Sequence, residues 1–181
     1  SYENQKGYLA KVMPPIRTAQ DNAAVWDALS HNLIDTIGTD HVANQLKLKL
    51  GGTDVWGALA GFPGIGVAIP ILLSEGVNKN RISLEQFVRF TSTNAAQIFG
   101  MHPKKGTLAK DADADITMIN LKKENKVSSE LFGGFSDYIV YEGMSLKGWP
   151  VKTIVRGQLV AEDFVVVGKL GHGKLIERPY S

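Results

Sequence analysis

Gly38-Thr39-Asp40-His41 follows a short apolar run, Ile34 to Thr39, and opens onto a glycine-rich stretch. An aspartate in that position stands where an α/β barrel keeps its catalytic groups, at the C-terminal end of a strand. Its carboxylate can hold a hard or borderline metal ion and can take a proton from water bound to that ion. The same four residues also suit a simpler role, with Asp40 capping the turn that follows. His41 has three readings: a hydrogen-bond partner behind the site, a metal ligand, or a structural histidine. His31, His102 and His172 are dispersed and show no ligand spacing, so a metal site contained wholly within this chain is not expected.

Two other segments could touch a ligand through their backbone. In Met13-Pro14-Pro15-Ile16-Arg17 the prolines stiffen the chain and remove two donors, which can aim neighbouring peptide groups. Arg17 could anchor that loop on a carboxylate, contact substrate, or simply face solvent. In Ala60-Gly61-Phe62-Pro63-Gly64 the glycines allow close approach of backbone to a ligand, and the helix expected next offers free amide donors. No nucleophilic triad and no GxxxxGK[ST] phosphate loop is visible. The chain has no cysteine, which excludes disulfides, thiolate zinc sites and cysteine nucleophiles.

The elements that must position these residues change character along the chain. A strand over residues 8–13 stops at Pro14-Pro15. Asp21 to Leu29 reads as a helix, Ile34 to Thr39 as a strand, and residues 42–62 as an irregular stretch of the kind that is usually functional. Gly64 to Glu75 reads as a buried helix. Ser83 opens another through a capping box with Gln86, and Leu84, Phe87, Val88 and Thr91 form its inner stripe. Asn94 caps a last short helix, Ala95 to Phe99, closed by Gly100. Beyond Met101 the runs are short and β-rich: Ile116–Ile119, Tyr138–Tyr141, Thr153–Arg156, Leu159–Ala161 and Phe164–Val167. Gly133-Gly134, Gly148, Gly157 and Asp163 separate them, with a hairpin at Gly157-Gln158. The fold class expected is α/β: a section of a barrel over residues 1–101, then part of a β-sandwich over 102–181.

A formal charge of +2 with scattered basic residues gives no reason to expect nucleic acid or a membrane surface as partner. The longest apolar stretch, Ile65 to Leu73, is broken by Gly66 and Pro70 and falls far short of the ~20 residues that span a bilayer. A cytoplasmic location is the expectation. The chain opens on Ser1-Tyr2-Glu3-Asn4, as an expression scar, processing or a cut from a longer chain would each produce.

Taken in order, the segments resemble the dihydropyrimidinase, hydantoinase and allantoinase group of the amidohydrolase superfamily. Pro14-Pro15-Ile16-Arg17, the Trp26 helix and Gly38-Thr39-Asp40-His41 are similar to the end of that group's barrel. Phe62-Pro63-Gly64-Ile65 and Phe87 to Gly100 match its loop-to-helix segment and last barrel helices. Lys105-Gly106-Thr107-Leu108, Asp113-Ala114-Asp115-Ile116, Tyr141-Glu142-Gly143-Met144 and Val155-Arg156-Gly157 resemble the small β-domain. The resemblance implies the terminal section of a TIM-type (β/α)8 barrel followed by strands of a composite β-sandwich. It implies two metal ions, commonly zinc, and hydrolysis of a cyclic amide by a metal-activated hydroxide. Asp40 is the position that matches the family's metal ligand and proton shuttle. Met13, Pro14, Arg17, Ala60 and Gly61 match its substrate-bordering positions.

The family's His-x-His pair, carboxylated lysine and two further histidine ligands belong upstream of these segments. The partners implied are therefore the N-terminal remainder of the same enzyme or a chain supplying it, a small cyclic amide, and further copies in a homo-oligomer. The chain by itself is expected to be inactive. Met13 stands where hydantoinases often carry serine, Ala60 replaces an asparagine, and Gly66 replaces a glutamate. Backbone contacts survive such changes and side-chain contacts do not, so the substrate stays open. A non-catalytic scaffold related to dihydropyrimidinase remains the alternative. A free-standing binding domain would leave strand edges unpaired and an apolar face uncovered.

Overall fold

The structure, a computed structural model, describes residues 5–52 and 54–177; Ser1-Tyr2-Glu3-Asn4, Thr53 and residues 178–181 lie outside the described residues. Helices come first and strands follow. The helices are α1 (Gln5–Leu9), α2 (Ala19–Ser30), α3 (Leu46–Lys49), α4 (Ala68–Ile71), α5 (Leu84–Val88) and α6 (Asn94–Ile98). The strands are β1 (Ile116–Lys126), β2 (Ser145–Val155), β3 (Gln158–Glu162) and β4 (Val165–Val166), an antiparallel meander in the order β1-β2-β3-β4.

The helix ends explain themselves locally. Thr18 and Asp21 form a capping box at the start of α2, which therefore begins two residues earlier than periodicity alone suggests. At its other end Asn32, at φ 57, turns the chain through a left-handed residue, while its amide and that of Leu33 close on Leu29 O and Ala28 O. The expected box at Ser83 and Gln86 starts α5, and Gln86 Nε2 also donates to Ser30 O at 2.8 Å, tying the two helices end to end. Pro70 sits in the first turn of α4, where a missing amide costs nothing. That helix continues as a π segment over Leu72–Val77, and a second π segment, Arg89–Thr93, joins α5 to α6.

Several expectations are corrected. Residues 8–13 are the end of α1 and a turn, not a strand: the amides of Ala10 and Lys11 return to Gly7 O and Tyr8 O. Ile34 to Thr39 has no regular secondary structure and no ladder partner, although Ile34 and Ile37 pack on the core. A strand needs a neighbour, and the only sheet among the described residues is the C-terminal meander. The buried helix starts at Ala68, four residues later than Gly64. Along α5 and the π segment that follows, the burial falls on Phe87 and Phe90, while Leu84 and Val88 are exposed. Asn94 is not a cap; it continues the helix, and its side-chain amide donates to Asp35 O. Tyr138–Tyr141 is a buried turn, and Gly148 lies inside β2. There Asn120 pairs with Trp149 and Glu124 with Lys147, so residues 121–123 face Gly148 alone. A Cβ on Gly148 would meet Leu73 Cβ at 2.8 Å, so only glycine lets β2 lie this close to the helix.

Other expectations hold. β2 and β3 form the hairpin, with Arg156 and Gly157 both at positive φ, the geometry of a two-residue type I′ turn. The Asp113-to-Asp115 segment closes it from below. Asp115 Oδ1 accepts the Arg156 amide at 2.8 Å, and Lys105 pairs with both Asp113 and Asp115. Two apolar clusters form the core. Leu29, Leu72, Leu73, Ile82, Phe87 and Phe90 pack among the helices, and Val67, Val127, Ile139, Leu146 and Trp149 bind helix to sheet.

Candidate functional site

Asp40 ends the irregular run that begins at Leu33. Its backbone is left-handed, at φ 44, a region that non-glycine residues seldom occupy and that Asp tolerates better than most. The side chain is exposed, and no hydrogen bond or ion pair engages its carboxylate among the described residues. An aspartate meant only to cap the next turn would spend its carboxylate on a nearby amide, and this one does not. Among the described residues the turn is instead held by its neighbours.

His41 Nδ1 accepts the amides of Gly64, at 3.1 Å, and Ile65, at 3.3 Å. Nδ1 therefore carries the lone pair and Nε2 the proton, an assignment that follows from those donors. Val42 donates to Phe62 O at 3.2 Å. Of the three readings of His41, the structure supports the hydrogen-bonded one: it anchors the loop that leads to α4. Gly66 beyond it has no room for a side chain, since a Cβ would lie 2.7 Å from Phe132 Cγ.

The remaining candidates lie on segments joined to this loop. Gly61 is buried at φ 90, and its amide donates to Lys11 O at 2.9 Å. Met13, Pro14 and Arg17 are exposed just beyond Lys11, and Ala60 is exposed beside Gly61. The structure thus knits together the Lys11-to-Arg17 loop, the Asp40–Val42 turn and the Leu59–Ile65 loop. Arg17 takes part in no ion pair among the described residues; its charge helps the Thr18 hydrogen bonds keep the Asp21 carboxyl below the usual carboxylate range.

Two lysines hold the loops in place, and neither stands out in the sequence. Lys49, at 0% exposure, donates to Lys11 O at 2.8 Å, Leu59 O at 2.6 Å and Gly61 O at 2.7 Å. Burial, and then the neighbouring Lys11 ammonium, push its pKa down from 10.5 to about 8. Lys11 Nζ donates to Ala58 O at 2.6 Å and Trp56 O at 3.0 Å. The helical turn of α3 places Lys49 on the same face as Leu46, but nothing in the residue types marks it as buried.

Among the described residues, no three His, Cys, Asp or Glu side chains assemble into a cluster able to hold a metal ion. What the chain offers is one unengaged hard carboxylate, Asp40. That donor fits a single ligand position in a larger site. Asn44 and Tyr138, bonded at 2.5 Å and both buried, and Asp137, which accepts the Leu46 amide at 2.7 Å, fasten the segment after Asp40 to the β-rich half.

Comparison with known proteins bears on all of this. The model of the amidohydrolase family matches residues 12–160. The L-hydantoinase of Paenarthrobacter aurescens is 39% identical over 173 residues, 95% of this chain and 38% of that protein. The D-hydantoinase of Geobacillus stearothermophilus is 39% identical over 167 residues, 91% of this chain and 36% of that protein. Among solved structures, L-hydantoinase from Arthrobacter aurescens aligns with TM-score 0.89 at 39% identity, covering 94% of this chain and 38% of that one. D-hydantoinase from Thermus sp. aligns with TM-score 0.91 at 33% identity, covering 97% of this chain and 38% of that one. The chain spans less than two-fifths of the length of these relatives.

Proposed function

The chain belongs to the amidohydrolase family, and on that premise we propose that it is the closing section of an enzyme that opens small cyclic amides of the hydantoin, dihydropyrimidine or allantoin type. One observation carries the proposal: 39% identity to a hydantoinase runs along 95% of the chain, through both the helical and the β-rich halves. In this reading residues 1–101 are the last section of a (β/α)8 barrel and residues 102–181 belong to the composite β-sandwich.

Asp40 is the residue that acts. Its carboxylate is unengaged, its left-handed backbone sets its direction, and strained backbone of this kind gathers at functional sites. It would be this chain's ligand to a metal centre of two ions, zinc by the family's habit, whose other ligands lie outside the chain. Such a centre, when bound, supplies activated water and polarises the amide carbonyl. Asp40 takes a proton on a carboxylate oxygen and passes it to the ring nitrogen as the C–N bond breaks. Met13, Pro14, Ala60 and Gly61 border the substrate through backbone groups, and Arg17 stands at the rim of the same mouth.

A barrel typically needs about 250 residues, more than this chain contains. Leu33, Trp56 and Ile65 are large apolar side chains left uncovered around the site, Trp56 at 85% exposure. We propose that the upstream part of the same protein, or a polypeptide supplying it, covers them and brings the remaining ligands. The complete enzyme is a cytoplasmic homo-oligomer in this reading. No helix among the described residues is long and apolar enough to cross a membrane.

The test is an assay of the complete, metal-loaded protein on dihydrouracil, hydantoin, allantoin and dihydroorotate, following the ring-opened acid. Hydrolysis of at least one is expected. Silence on all four favours the non-catalytic scaffold.

A further inference from the structure

Lys49 is a charged side chain buried in full, with no carboxylate paired to it among the described residues. Burying an ammonium without a counter-ion is strongly unfavourable unless every proton finds an acceptor. Here every proton does: three N–H donors meet three carbonyls, and no donor is left over for water. Those carbonyls come from two segments 48 to 50 residues apart in sequence, Lys11 on one side and Leu59 and Gly61 on the other. The Gly61 amide returns to Lys11 O and closes the ring of bonds. Core packing alone would be served better by an apolar side chain. What the ammonium adds is a fixed register between two backbone segments.

We propose that Lys49 is a positioning residue, setting the backbone of the Met13–Pro14 loop against that of Ala60–Gly61 so that both present their peptide groups to one substrate ring. The assignment rests on the proposed cyclic-amide hydrolase. Lys49 does not touch the substrate, and it acts through Lys11 O, Leu59 O and Gly61 O. Lys11 adds a second, more exposed tie between the same segments, through Trp56 O and Ala58 O.

The experiment compares Lys49→Met, Lys49→Arg and the control Lys47→Met, an exposed neighbour on the same helical turn, in the complete enzyme. KM separates positioning from folding. Loss of folded molecules lowers apparent kcat and leaves KM alone, whereas misplaced backbone weakens binding in every folded molecule. Lys49→Met is expected to raise KM at least about tenfold, the order that one lost charge-assisted hydrogen bond carries. Lys49→Arg, whose planar fork cannot meet three convergent carbonyls, should restore KM only in part, and Lys47→Met should leave it unchanged. Amide exchange over residues 59–62 is measured on the same proteins and should speed up in Lys49→Met alone. That arm does not depend on turnover. If the wild type hydrolyses none of the four amides yet exchange still speeds up, the functional proposal fails and the loop clamp stands. Unchanged KM and unchanged exchange in folded Lys49→Met overturn the assignment. So does failure of both Lys49 variants to fold, which would make Lys49 a requirement for folding and nothing finer.

Discussion

Replacing Gly61 with alanine tests whether the loop beside Asp40 is as tightly constrained as its geometry indicates. Gly61 sits at φ 90, and a Cβ there would lie 2.8 Å from Val42 Cβ. Val42 is two residues past Asp40 and bonds to Phe62 O, so the collision falls on the turn that carries the carboxylate. An L-residue held in that backbone region costs about 1–3 kcal/mol. Overpacking against Val42 adds about 1–3 kcal/mol, and the stiffer unfolded chain returns about 0.4–1 kcal/mol. The net loss is therefore about 1–6 kcal/mol. The Val42→Ala change removes both Cγ atoms, which the added Cβ would also meet, but keeps Val42 Cβ, so the double variant should recover part of the steric share. A double-mutant cycle in urea, on the complete protein, should give a coupling of about 1–3 kcal/mol. A Gly61→Ala cost under about 1 kcal/mol, or no coupling with Val42, would refute the close-approach reasoning.

The β-rich half offers two more checks. Burial pushes the Asp115 carboxyl up, but the Lys105 hydrogen bond, the Arg156 amide and both cations outweigh it and leave its pKa below 3.8. A depressed folded-state pKa contributes stability that is present above 3.8 and lost as pH falls through the folded value. Asp115→Asn should therefore lower the urea midpoint at pH 6 and flatten its decline below pH 4; an unchanged acid limb would deny the linkage. Burial, and then Asp137, push Tyr138 up to about 12. The unfolded chain then loses its proton first, so stability should fall between pH 10 and 12, and Tyr138→Phe should abolish that slope. The same change strands buried Asn44 Oδ1 and should cost about 1–3 kcal/mol at pH 7, read by urea unfolding.

What the sequence discloses and hides follows from the range of the interactions involved. The capping box at Ser83 and the existence of the hairpin are settled within a few residues; the box stands as read, and the hairpin expected at Gly157-Gln158 turns one residue earlier, at Arg156-Gly157. The strands expected at 8–13 and 34–39 depend on neighbours, and among the described residues none pairs with them. Leu84 and Val88 obey the helical period yet face outward, because the π segment Arg89–Thr93 and the packing of Phe90 decide which face is inside. Asp40 could be picked out because it ends an apolar run before a glycine-rich loop. Lys49 could not. In Leu46-Lys47-Leu48-Lys49-Leu50 the alternation suggests buried leucines and solvated lysines. One helical turn exposes Leu48 and sends Lys49 inside, to carbonyls 10 to 38 residues away.

The central claim is that this chain contributes the acid–base carboxylate of a cyclic-amide hydrolase, and Asp40→Asn in the complete enzyme tests it most directly. The swap is nearly isosteric and removes an anionic ligand and a proton acceptor together. Asp40 is exposed and unbonded among the described residues, so the thermal midpoint should barely move. Turnover of whichever amide the wild type opens should fall by at least about 10²–10⁴-fold, the range of general acid–base catalysis. Hydrolysis by Asp40→Asn at the wild-type rate would contradict the account, for it would remove from the mechanism the one residue on which this chain's chemistry rests.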